Sequence, residues 1–192
     1  MTMSVPPERL PRIPPEKMTE AQKKVAAEIA AGPRGEVRGP FVALLRSPEL
    51  LSPLQKVGEY LRYKCRLDRR VMEFATLIAA RHWTQQYEGH SHHEHAMKAG
   101  LKPAIADAIA EGRRPSGMAA DEDIVYDLLT ESLNNKCVSD PTYARALAQF
   151  GESGVVDLVA LAGYYLTLAM VMNMARTALP VGKLELLKPF PY

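Results

Sequence analysis

The sequence predicts an all-α protein, and three observations carry that expectation. Apolar residues recur three and four apart in one segment after another, as in Leu54, Val57, Leu61 and Cys65. Proline, glycine and short polar residues stand where such segments should start and stop. No segment shows the two-residue alternation of a half-buried strand. A chain of 192 residues, 47% of them apolar, can bury one substantial core, which predicts a single domain over 1–192.

In order along the chain, 1–18 reads as an extended arm, because Pro6, Pro7, Pro11, Pro14 and Pro15 each remove a helical donor. Thr19 and Gln22 form a capping-box pattern that opens a helix over 19–31, closed by Gly32-Pro33. A loop over 35–40 leads to a short apolar helix over 41–45, ended by Ser47-Pro48. Ser52-Pro53 then places proline in the first turn of a helix running to Cys65. Asp68 caps the next helix, whose Val71, Met72, Ala75, Leu77, Ile78 and Ala79 are apolar nearly all round, the pattern of an interior helix. Helices over 86–98, ended by Gly100, and over 103–111 complete the first half.

The second half repeats the plan. Asp121 caps a helix carrying Ile124, Leu128, Leu129 and Leu133. Asp140-Pro141 opens another toward Phe150, and 151–154 separates it from a long apolar helix over 155–175. The segments 70–75 and 154–159 each embed one acid, Glu73 or Asp157, in an apolar helix, which suggests two weakly related helical halves.

Composition excludes several classes. With 24 basic against 22 acidic residues, the net charge of +2 predicts no nucleic-acid partner. The arm lacks the apolar run of a secretory signal. Asp157, Gly163 and the Tyr164-Tyr165 pair interrupt the long apolar helix, so a buried core helix in a cytoplasmic protein is expected rather than a membrane span. Cys65 and Cys137 form no CxxC pair and read as packing residues.

Chemistry concentrates between Arg81 and His95, which holds all five histidines and the single tryptophan. Four residues along a helix return to one face, so Glu88, His92 and His95 should share a stripe. Three readings of this cluster stay open: solvated histidines on a surface helix, a zinc or iron site made of Glu88, His92 and His95, or a cofactor-free acid–base site. In the last, Glu88 fixes the His92 tautomer and leaves the other ring nitrogen free for proton transfer. Glu73, flanked by Met72 and Phe74, would be costly to bury without a partner, so it either pairs with Arg69 or Arg70 at the surface or faces His92 as a relay.

The run Ala80-Arg81-His82-Trp83, then Tyr87-Glu88, His92 and Ala99-Gly100-Leu101, resembles the carboxymuconolactone decarboxylase family. Val138-Ser139-Asp140-Pro141, Phe150-Gly151-Glu152 and 158–173 extend the resemblance over about 41–173. The wider superfamily includes alkyl hydroperoxidase D, where a glutamate, two cysteines and a histidine form a relay and a thiol redox centre. Carried across, Glu73 matches the glutamate, His92 the histidine, and Gln85 and Glu88 the two cysteines. The resemblance therefore implies an alkyl hydroperoxidase D-like helical fold and a homo-oligomer, trimer or hexamer, without thiol peroxidase chemistry.

It further implies a cofactor-independent lyase acting on a small carboxylated or lactone compound of aromatic catabolism. Glu73, Glu88 and His92 would be catalytic. Arg81 would hold an anionic group in its planar fork, and Trp83 and Tyr87 would wall the pocket beside His95. The other class left standing is a metal-binding or non-catalytic helical oligomer. Gly89 stands where relatives carry a large aromatic residue, which should enlarge the pocket or loosen the helix start.

Overall fold

A computed structural model describes residues 7–188, so positions 1–6 of the expected arm and 189–192 lie outside the described residues. Every regular element among the described residues is helical. Thr19 caps α1 (Glu20–Ala31) as expected, its hydroxyl accepting from the Gln22 N–H while the Gln22 side chain accepts from the Thr19 N–H at 3.0 Å. A short α2 (Pro40–Leu44) precedes α3 (Pro48–Tyr63).

The third helix starts one turn before the expected Ser52-Pro53. Pro48 takes the first helical position, the Leu50 and Leu51 N–H groups both bond the Ser47 carbonyl, and Leu51 is fully buried. Burial of Leu51 outweighs the single hydrogen bond that Pro53 withholds inside the helix.

Asp68 caps α4 (Arg69–His82) by accepting from the Arg70 and Val71 N–H groups at 2.9 and 3.4 Å. Every residue from Val71 to Arg81 is buried, because α4 packs against α5 (Gln86–Lys98), α6 (Pro103–Ala110), α7 (Ala120–Asn134) and α8 (Asp140–Ala175). The all-round apolar pattern thus marked the central helix. Phe74 has no exposed surface, and truncating such a side chain to alanine costs about 3–5 kcal/mol.

Two boundaries differ in instructive ways. Ala119, not Asp121, precedes α7, and the Glu122 carboxylate accepts from the Ala119 N–H at 2.7 Å. Asp121 is instead drawn to the Arg70 guanidinium at 2.6 Å, and Glu122 bonds the same group, so these acids tie α7 to α4. The expected break near Gly151 is a kink within α8, where Gly151 adopts φ 66° and ψ 174°, a conformation open to glycine. By length and composition α8 could cross a membrane, yet half of its most apolar window is buried within the fold.

The described part of the arm lies along its own chain. The Arg9 N–H bonds the Ala175 carbonyl at 2.8 Å, and Arg12 bonds the Val37 carbonyl at 2.8 Å. A segment over 178–188 returns across α5, where Gln86 both donates to and accepts from the Leu187 backbone.

Candidate active site

A three-residue turn folds α5 back on α4 and brings Glu73, Glu88 and His92 together. Gln85 caps α5 by accepting from the Glu88 N–H at 3.0 Å, and its amide donates to Asn173 of α8 at 3.1 Å. Thr84 closes the turn at φ 45°, a strained conformation for a β-branched residue that the hydrogen-bonded turn enforces.

His92 is buried and held from both sides. Its Nδ1–H donates to Glu73 at 2.5 Å, and its Nε2 lies 3.2 Å from Glu88. Ionised carboxylates only accept, so two of them on one ring select the doubly protonated imidazolium. Burial works against the charged ring, but the bonds to Glu73 and Glu88 outweigh it and raise the pKa. Burial likewise opposes ionisation of Glu73. His92, with Arg69 at 2.8 Å and the field of Arg62, prevails and lowers its pKa.

Aromatic walls complete the pocket. The Tyr165 ring meets His92 edge-on at 4.8 Å between centroids, and the His95 ring does so at 5.6 Å. Burial raises the Tyr165 phenol and pushes Tyr164 up to about 12, so both act as neutral hydroxyls. A cleft with about 50 Å³ of room opens on this cluster between Tyr87, Glu88, His92, His95 and Tyr165.

The fold gathers Glu73, Glu88, His92, Tyr87 and His95, but not the other two expected pocket residues. Arg81 is buried against a second cleft of about 170 Å³ beside His82 and Tyr126, and it donates to the Lys188 carbonyl. Trp83 ends α4 half exposed, its carbonyl accepting from Asn173. Arg81 lies in the last turn of α4 and Trp83 at its C-cap, about two turns past Glu73, and neither lines the cleft at His92. The expected free nitrogen on His92 is also corrected, because Glu73 occupies one ring position and Glu88 the other.

The same geometry bears on the alternative ligand set Glu88, His92 and His95. A metal there would have to displace a carboxylate from a ring nitrogen of His92, and no cluster of metal-holding geometry occurs among the described residues. The surface reading of Glu73 fails as well, since the carboxylate is 2% exposed. The space opened by Gly89 is filled from within the chain: a Cβ there would sit 2.9 Å from Leu187 Cγ.

Sequence reasoning missed Arg34, Arg62, Tyr164 and Tyr165, which also line the cleft. The paired tyrosines were visible as polar groups in an apolar helix. The arginines gave no local signal, because they sit in a loop and at the end of α3.

The chain superposes on the crystal structure of an alkylhydroperoxidase AhpD core, an uncharacterized peroxidase-related protein from Ralstonia eutropha JMP134, with a TM-score of 0.73. This is the alkyl hydroperoxidase D-like fold. The match covers 92% of this chain and 94% of that one at 14% identity, so it speaks for the fold alone. No family model matches the chain, and no curated protein matches it in sequence. Within this alkyl hydroperoxidase D-like fold, neither Cys65 nor Cys137 lines the His92 cleft. Cys65 packs against Met72, burial raising its thiol pKa, and Cys137 is exposed, not the packing residue expected.

Proposed function

We propose that the chain is a cofactor-independent carboxy-lyase acting on a small carboxylated or lactone compound by acid–base chemistry. The observation that carries this reading is the buried ring of His92, held between the carboxylates of Glu73 and Glu88 at the end of a cleft. Thiol peroxidase chemistry would, by the resemblance to alkyl hydroperoxidase D, need thiolates where this chain has Gln85 and Glu88.

In the reaction, the bond between the substrate and its departing carboxylate breaks, carbon dioxide leaves, and the electron pair enters the adjoining conjugated system. A proton from His92 Nε2 then closes the carbon. The two contacts divide the work. Glu73 holds Nδ1 at 2.5 Å and keeps the ring oriented, while the longer contact to Glu88, at 3.2 Å, is the one that yields to substrate. Solvent returns the proton to the neutral imidazole, and both carboxylates favour its return. The tyrosine walls exclude water from the carbanion.

The test is carbon dioxide release from γ-carboxymuconolactone and related aromatic-catabolite acids by the purified, untagged chain. Release that Glu88→Gln abolishes without changing the helical circular dichroism supports the reading. A blank across the panel, or stoichiometric metal that activity requires, overturns it.

We also propose self-association with a second copy. Val156, Val159, Met170 and Met174 are exposed along one helical face of α8. Such a face on an otherwise packed core helix matches the helix-to-helix contacts that an oligomer buries.

A further inference from the structure

The two carboxylates on His92 are held by unlike means. Glu73 is the fifth residue of α4, buried and inside a formed hydrogen-bond ladder. Glu88 is the third residue of α5. In a first turn the backbone N–H groups have no acceptor within the helix, and the turn frays unless a side chain caps it. The place of Glu88 beside His92 Nε2, at 3.2 Å, therefore depends on what fixes that turn.

A line of three hydrogen bonds fixes it, and the line starts on another helix. Asn173 of α8 donates from Nδ2 to the Trp83 carbonyl at 2.9 Å, Gln85 donates from Nε2 to Asn173 Oδ1 at 3.1 Å, and Gln85 Oε1 accepts from the Glu88 N–H at 3.0 Å. Its polarity is dictated at both ends. The Trp83 carbonyl can only accept and the Glu88 N–H can only donate, so each amide has one orientation that completes all three bonds. Turning over either amide sets donor against donor or acceptor against acceptor. Gln85 is 3% exposed, so little water reaches its amide to replace a lost partner. The Trp83 carbonyl also belongs to the peptide before Thr84, whose φ of 45° is strained for a β-branched residue. Asn173 thus holds the very peptide whose rotation would relieve that strain.

We propose that Asn173 is a positioning residue: through Gln85 and the Trp83 carbonyl it locks the first turn of α5 and so keeps the Glu88 carboxylate against His92. Asn173 does not line the His92 cleft, so it acts wholly through the turn. Without its side chain the buried Gln85 amide loses its acceptor, is free to turn over and withdraws the cap from Glu88. The peptide before Thr84 is released at the same time. The first turn of α5 then frays and Glu88 leaves Nε2, while Glu73, deep in its own helix, stays on Nδ1. A group on α8 thereby decides whether His92 carries one carboxylate or two.

The consequence for turnover rests on the lyase reading, whereas the positioning itself is read without substrate. In the full chain, Asn173→Ala should speed hydrogen exchange of the Glu88 amide by about tenfold, with buried α4 amides such as that of Ala75 unchanged and the helical circular dichroism retained. An NMR titration should show the His92 pKa falling, because Glu88 is one of the two groups that raise it. Gln85→Ala should do the same, and the double variant little more, since both changes break one line. Unchanged Glu88 exchange with an unmoved His92 titration, effects that simply add in the double variant, or faster exchange spread evenly over α4 and α5 would overturn the proposal. Where carbon dioxide release is found, the alkaline fall of its pH profile should move to lower pH in Asn173→Ala, and an unmoved profile refutes the catalytic consequence. A chain that shows the exchange and titration changes but releases no carbon dioxide refutes the lyase reading and leaves the positioning role standing.

Discussion

Glu73→Gln removes the charged partner of His92 Nδ1 while keeping the shape of the side chain. Glu73 is 2% exposed and His92 3%, so the pair is desolvated and the cost of breaking such a pair, about 3–5 kcal/mol, applies. The Arg69 contact adds little, because the Arg69 side chain is 39% exposed and rehydrates, a contribution under about 1 kcal/mol. The glutamine carbonyl still accepts from Nδ1 and restores about 1 kcal/mol. The net loss is about 3 kcal/mol, which lowers the melting temperature of a chain this size by about 6–12 °C. Thermal unfolding followed by circular dichroism reads the shift. An NMR titration of the His92 ring should show its pKa falling toward the ordinary 6.5. A melting shift below about 2 °C together with an unmoved His92 titration would refute the clamped-imidazolium argument.

Stability should also follow pH in a defined way. The raised pKa of His92 contributes fully below 6.5 and is lost as pH rises through the folded value, whereas the lowered pKa of Glu73 contributes fully above 4.5 and is lost as pH falls through its folded value. Urea midpoints should therefore plateau between 4.5 and 6.5 and fall on both sides, and Glu73→Gln should flatten the profile. Gly89→Ala places a methyl 2.9 Å from Leu187 Cγ; the clash costs about 1–3 kcal/mol against about 1 kcal/mol of gained helix propensity, so limited proteolysis should cut 178–188 faster with α5 intact. Val156→Asp on the exposed face of α8 should lower the mass seen by sedimentation while the helical content holds, and an unchanged mass would remove that face from the interface.

Local signals in the sequence were enough for the helices and for the centre of the site. Thr19 with Gln22, Asp68, and Gly100 after α5 act within a turn of themselves, so their hydrogen bonds are legible as spacing. The all-round apolar character of α4 likewise announced its central place, and four-residue spacing put Glu88 and His92 on one face. Where that logic misplaced a feature, a distant partner had intervened. Arg70 draws Asp121 away from the cap of α7, and burial of Leu51 moves the start of α3 back to Pro48.

The site shows the same division between near and far. Arg81 and Trp83 stand close to His92 in sequence, yet they sit at the C-terminal end of α4, about two turns past Glu73, because a helix carries its side chains about 1.5 Å further along the axis with each residue. Sequence alone determined an all-α chain with its acid–base groups on the α4–α5 hairpin. Only the tertiary structure decided that His92 carries a carboxylate on each nitrogen, that Leu187 fills the space beside Gly89, and that Arg34 and Arg62 face the cleft. The reason is physical: periodicity reports which face of a helix a residue occupies, whereas ionisation and pocket shape depend on groups that loops and neighbouring helices bring in from far along the chain.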